Sequence, residues 1–173
     1  MKRRSRQDRA PAADTNRVYE LEVFLLTGQV TEAFVEKNPV ISRTIEIRGD
    51  QTLEQLHETI FEAYDRWEEH VYEFQVGGRG PMDPKARRYV LSMDCELYDR
   101  KPAGIVAETT IDALGLKTEE AFGYWFDFGD DWWHQVDVVA IRDAAAGGKY
   151  PKVTAKTGDS PPQYPDLDDE EDE

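Results

Sequence analysis

Cysteine is the scarcest chemical resource in this chain: its 173 residues contain one, Cys95. A single thiol excludes an internal disulfide framework and any zinc site of the multi-cysteine type. Long apolar runs are also missing. Nothing approaches the roughly 20 apolar residues of a membrane span, and no apolar signal-peptide core follows the basic start. Histidine is limited to His57, His70 and His134, with no H-x-x-x-H or H-E-x-x-H spacing. Ser5, Ser42, Ser92 and Ser160 sit in no G-x-S-x-G elbow. Basic side chains are outnumbered, 21 against 36 acidic, for a net charge of −15, which opposes a body that coats nucleic-acid phosphates. These absences predict an acidic, soluble, cytoplasmic protein with no membrane partner, whose body does not hold DNA.

Enough apolar material is present for one domain. Hydrophobic residues make up 39% of the chain and aromatics 11%, and a domain of this size buries roughly two-thirds of its unfolded surface. Charge divides the chain into three parts. Lys2, Arg3, Arg4, Arg6, Arg9 and Arg17 face only Asp8 and Asp14 within residues 1–17, whereas 166–173 hold seven acids and no base. Neither end has periodic apolar residues. A disordered basic arm (1–16), a folded domain (17–165) and a disordered acidic tail (166–173) are therefore expected. The acid excess of the body suits either a salty cytoplasm or an acidic binding surface.

Tyr19, Leu21, Val23 and Leu25 alternate along 18–26 and predict a strand; Ile41, Ile45 and Ile47 predict a second over 40–47. The clearest helix follows. Thr52 and Gln55 have capping-box spacing, and Leu53, Leu56, His57, Ile60, Phe61, Tyr64 and Trp67 then recur on one face. Glu54, Glu58 and Glu62 line the opposite face, with Arg66 placed to pair with Glu62. Tyr72, Phe74 and Val76 predict a strand, and Tyr89–Leu91 a shorter one. The glycine-rich loop 77–81 between them lacks the Lys-Ser/Thr of a P-loop. Residues 92–108 read as irregular, and Thr110 starts a helical turn that Gly115 ends. Phe122, Tyr124, Phe126 and Phe128 then climb one arm of a hairpin, Gly129-Asp130-Asp131 turns it, and 132–141 return. The expected class is α+β: one domain, a mixed or antiparallel sheet on one main helix, in β-grasp-like β-β-α-β order with a C-terminal β-hairpin.

The densest chemical constellation is F-D-F-G-D-D-W-W-H over 126–134. Asp127, Asp130 and His134 flank a tight turn and are candidate ligands for a divalent ion through oxygen and nitrogen. The same aspartates are also ordinary turn formers whose carboxylates accept from nearby backbone N–H groups. His57 lies on the apolar helix face and His70 just beyond the helix, so both are candidate bases or core histidines. Cys95, in M-D-C-E, has acidic neighbours that disfavour a reactive thiolate.

Two long blocks resemble a known family. T-L-E-Q-L-H-E-T-I-F-E-A-Y-D-R-W-E-E-H-V-Y-E-F (52–74) and F-G-Y-W-F-D-F-G-D-D-W-W-H-Q-V (122–136) resemble the signature blocks of plasmid pRiA4b ORF-3-like proteins. K-Y-P-K-V (149–153) and S-P-P-Q-Y-P (160–165) are similar to its C-terminal block. The resemblance implies a compact α+β domain, often linked with plasmids or other mobile elements and without an established activity. Some members carry a resolvase-type label, which needs a nucleophilic serine among ordered arginines that this chain does not offer. The matching positions are Leu56, His57, Ile60, Trp67, His70, Phe74, Asp127, Gly129, Asp130, Trp132 and His134. Packing accounts for the apolar ones and a positive-φ turn for Gly129. His57, His70, Asp127, Asp130 and His134 remain as the candidate polar site.

The leading functional expectation is a non-catalytic binding module that presents an acidic surface to a basic protein partner. One alternative is a metal-dependent enzyme, such as a hydrolase, with Asp127, Asp130 and His134 as ligands and His57 or His70 as base. Another is an accessory DNA-associated factor of a mobile element that uses the N-terminal arm or Arg79, Arg87 and Arg88.

Overall fold

A computed structural model describes residues 16–93 and 101–166. Cys95, the arm up to residue 15 and the tail from 167 lie outside the described residues. In chain order the elements are β1 (Arg17–Thr27), α1 (Glu32–Lys37), β2 (Ser42–Arg48), α2 (Leu53–Ala63), β3 (Tyr72–Val76), β4 (Arg87–Val90), β5 (Gly104–Ile105), β6 (Ala121–Phe126), β7 (Trp132–Asp143) and β8 (Lys152–Thr157). The eight strands form a single mixed sheet in the order β5-β4-β3-β6-β7-β1-β2-β8. All neighbours pair antiparallel except β4 and β5.

Period-two alternation sends one set of side chains toward α2. Tyr19, Leu21 and Val23 of β1, Phe74 of β3, Phe122, Tyr124 and Phe126 of β6, and Trp132, Val136 and Val138 of β7 are all buried there. The helix begins at the predicted capping box, with Gln55 N donating to Thr52 Oγ1 (3.3 Å) and Thr52 N to Gln55 Oε1 (2.9 Å). It buries Leu53, Leu56, His57 and Ile60 against the sheet. Arg43 fastens the helix end to the sheet edge. Its buried guanidinium donates to the carbonyls of Ala63, Ser42, Thr157 and Gly158 and to Ser160 Oγ. Toward β1, β2 and β8 the other face of the sheet is solvated and paired: Arg142 bridges Glu20 and Glu46, and Lys152 reaches Glu46.

Four expectations are corrected. The β-grasp order is absent, because β3 lies beside β4 and β6 while β7 occupies the second edge of β1. The long β6–β7 hairpin delivers β7 to β1 over a register running from Arg17↔Asp143 to Thr27↔Trp133, which leaves no free edge there for β3. The main helix stops early: Tyr64 is its C-cap and Asp65 is left-handed at φ 55, so Trp67 leaves the apolar face and is 70% exposed. Arg66 consequently turns inward and does not meet Glu62. In the hairpin turn Asp127 (φ 58) and Asp131 (φ 54), not Gly129, take the left-handed conformation, as aspartate tolerates.

Candidate functional site

The turn at Tyr64–Asp65 drives the Arg66 side chain under the sheet, where it is 7% exposed. Its Nη2 donates to His134 Nε2 (2.8 Å), and its charge lies over the rings of Tyr64, Phe126 and Trp132 at 4.9, 4.9 and 5.2 Å. Nη1 has no hydrogen-bond partner. His134 accepts from Arg66 and donates through Nδ1 to the Tyr124 carbonyl (3.1 Å), so it is a neutral imidazole with both nitrogens engaged. Burial, then the Arg66 charge, depress its pKa.

Tyr124 leads from this arginine to the second histidine. Its hydroxyl lies 2.6 Å from His57 Nδ1, while His57 Nε2 meets the Glu69 carboxylate at 2.9 Å. His57 stacks on Tyr72 with centroids 3.6 Å apart. Burial, and then Arg66, lower its pKa to about 3. The contact with Glu69 is therefore a hydrogen bond from a neutral ring and not an ion pair. That fixes the tautomer: Nε2–H donates to Glu69, and Nδ1 accepts from Tyr124. A buried polar thread thus runs from exposed Glu69 through His57 to the Tyr124 hydroxyl, and the carbonyl of the same tyrosine joins the Arg66–His134 pair.

The surface beside Glu69 carries the other candidates. His70 Nε2 meets Tyr164 Oη at 2.5 Å and Asp127 Oδ2 at 3.5 Å. Asp127 uses Oδ1 to accept from Gly129 N and Asp130 N, which holds the turn. Trp67 packs edge-on against Tyr164 at 5.5 Å. The backbone beneath is clamped by buried Gln163, whose Oε1 accepts from Trp67 N and Glu68 N and whose Nε2 donates to Glu68 O. Carboxylates crowd this patch. Desolvation, then Glu68 beside it, with Asp127 and Asp130, push the Tyr164 hydroxyl up to about 12. Desolvation and Asp127 raise Asp130, and desolvation and Glu58 raise Glu69; His70 works against both shifts.

Of the five polar candidates, half-buried His70 meets buried Asp127 just beneath the surface with Asp130 beside them, and His57 and His134 lie buried on the other side of that patch. Asp127, Asp130 and His134 do not assemble as a ligand set, since both ring nitrogens of His134 are committed inside the core. Among the described residues, no three His, Cys, Asp or Glu side chains are grouped to hold a metal ion. Sequence reasoning overlooked Glu69, Gln163 and Tyr164, and treated Tyr124 only as packing. The available signals were the Glu68-Glu69-His70 run just beyond the helix and the S-P-P-Q-Y-P block over 160–165, which contains Gln163 and Tyr164.

Most core aromatics, the two histidine-centred bonds and the Asp127 turn fall on two blocks of sequence, 52–74 and 122–136, with Tyr19 and Tyr89 outside them. Over residues 29–166 the chain matches the profile of plasmid pRiA4b ORF-3-like protein, and it belongs to that family. It is 24% identical over 125 residues to the uncharacterized protein y4hQ of Sinorhizobium fredii, an alignment that covers 72% of this chain and 59% of y4hQ. Its fold is similar to that of a protein of unknown function, MM3350 from Methanosarcina mazei Go1, with a TM-score of 0.62 and 21% identity over 83% of this chain and 71% of that one. No helix of the described residues is long and apolar enough to cross a membrane.

Proposed function

We propose that this protein is a non-catalytic binding module and that its Trp67–Tyr164 face receives a basic segment of a protein partner. The observation that carries this reading is the 70% exposure of Trp67 on a backbone clamped by Gln163, with exposed Glu68 and Glu69 following it in the chain and half-buried Asp130 and buried Asp127 beneath its partner Tyr164. Apart from its edge contact with Tyr164 the indole stands in water, where it adds nothing to the core, whereas an indole beside carboxylates suits an arginine or lysine side chain. The ring quadrupole attracts the cation, at about 0.5–1 kcal/mol for an exposed pair, and the carboxylates add charge-assisted hydrogen bonds. Clamping also reduces the ordering cost on binding.

The test is calorimetric titration with an arginine- and lysine-rich peptide at low and high salt, beside an acidic control peptide. Saturable binding that weakens with salt and falls about two- to fivefold in Trp67→Ala is expected. Equal binding by the Trp67→Ala protein, or no binding of the basic peptide at low salt, would contradict the proposal.

A further inference from the structure

The opposite side of the sheet carries a second feature that the Trp67 face does not use. Trp125 and Trp133 are cross-strand partners on β6 and β7, and their indoles stack with centroids 4.7 Å apart and planes 8° from parallel. Phe128, just past β6, stacks on the far side of Trp125 at 3.9 Å. Trp125 is further fixed by its Nε1–H, which donates to Asp131 Oδ1 (3.0 Å). This rigid aromatic block forms one wall of a cavity of about 350 Å³, a volume in the range of small-ligand sites. Glu73, Gln75 and Arg88 from β3 and β4 also line it, and the loop segment 82–84 closes its rim. The loop lies close because β6 carries Gly123 at this point: a Cβ there would stand 2.9 Å from Pro81 Cα.

Glu73 is the unusual member. It is 1% exposed, and its Oε2 has no hydrogen-bond donor within reach; the nearest guanidinium atom, Arg88 Nε, is 3.9 Å away. A buried carboxylate oxygen without a donor is costly, and burial raises the Glu73 pKa against the opposing effects of Arg88 and Gln75. The cavity therefore presents a carboxylate oxygen in need of a donor, the Arg88 guanidinium 3.9 Å from it, and a flat apolar wall. The chemical complement is a flat ring with an N–H next to a C=O. Hydroxyl-rich ligands suit the wall less well, and a simple cation would sit against Arg88.

We propose that this cavity is a binding site for a neutral planar heterocycle with a lactam edge, of the kind a hydroxypurine base presents, its N–H donated to Glu73 and its carbonyl facing Arg88. The site shares no residue with the Trp67–Tyr164 face, so the fate of one proposal does not decide the other.

Inosine, 1-methylinosine and adenosine are the probes, and the indole N–H resonances of Trp125 and Trp133 are the readout. Inosine should shift both signals saturably. The 1-methyl compound, in which a methyl group replaces the N–H that Glu73 would receive, should bind at least about tenfold more weakly, as should adenosine, which presents no N–H at that ring position. Glu73→Gln should weaken inosine about tenfold while the protein melts cooperatively. Should that variant fail to fold, Trp133→Leu, at a half-buried position of the aromatic wall, should weaken inosine by a similar factor as read at the Trp125 indole alone, and unchanged inosine binding there would overturn the proposal. Indole signals unmoved by inosine, or equal binding of inosine and 1-methylinosine, would overturn the proposal.

Discussion

His57→Gln isolates the contribution of the buried thread to acid stability. His57 is 2% exposed and its folded pKa lies near 3, against 6.5 for an unperturbed ring. Between those values the unfolded chain holds a proton that the folded chain refuses, so stability rises with pH and falls on acidification. The loss begins as pH drops through about 6.5 and continues toward 3, at about 1.4 kcal/mol per unit. By about pH 4.5 the His57 share amounts to about 3 kcal/mol. Carboxylates titrate over the lower part of the same window, and relief of the −15 net charge acts in the opposite sense, so the wild-type slope alone is a mixture. Glutamine retains an N–H for Glu69 and an acceptor for Tyr124 but has no proton to gain. Urea denaturation of both proteins at several pH values from 7.5 to 4.5 should show their stabilities converging by about 3 kcal/mol as pH falls. His134, buried and neutral in both, cancels in the difference. Parallel pH profiles for the two proteins would refute the assignment of His57 as a buried neutral ring.

Other perturbations test the supports around the thread. Tyr124→Phe leaves His57 Nδ1 buried without a donor and should cost about 1–3 kcal/mol in a urea melt; a neutral effect would mean that the hydroxyl is replaceable there. Gln163→Ala removes three bonds to the 67–68 backbone, so amide exchange should accelerate at 67–70 and 160–164 with little change in the sheet. Uniform exchange rates across both segments would count against the clamp. Arg43→Met abandons the acceptors that join α2 to β8 and should destabilise by about 3 kcal/mol or more, measured by the denaturation midpoint. Thr52→Ala should cost about 1 kcal/mol through the lost capping box.

Local periodicity made much of the fold readable in advance. Phe122, Tyr124 and Phe126 alternate in the sequence and are buried in the structure, and Thr52 with Gln55 marks the true start of the helix. Pairing was readable only at the β6–β7 hairpin, where a short turn joins the two strands; elsewhere alternation gives a strand's faces but not its neighbour. Three elements escaped notice: α1 buries no residue, β8 is an exposed edge strand with Val153 as its one packed hydrophobic, and the two-residue β5, inside a stretch expected to be irregular, is too short to show a period. Phe128 continued the β6 alternation in sequence, but Asp127 turns left-handed and delivers it to the face of Trp125. In the site, the polar candidates were visible as residue types out of place among hydrophobics. Their partners were not, because Tyr124 is 67 positions from His57 and Tyr164 is 94 from His70. Arg66 was misread for the opposite reason: a nearby acid four positions earlier suggested a surface pair, while Asp65 turned the side chain inward.

The most direct test of the binding proposal is a titration of isotope-labelled protein with an arginine- and lysine-rich peptide, followed residue by residue in solution. The account predicts that the Trp67 indole and the amides of Glu68, Glu69, His70 and Tyr164 shift first and together, with the Trp125 and Trp133 indoles unmoved. Shifts confined to another surface, or none at a concentration that saturates a basic-peptide site, would contradict it.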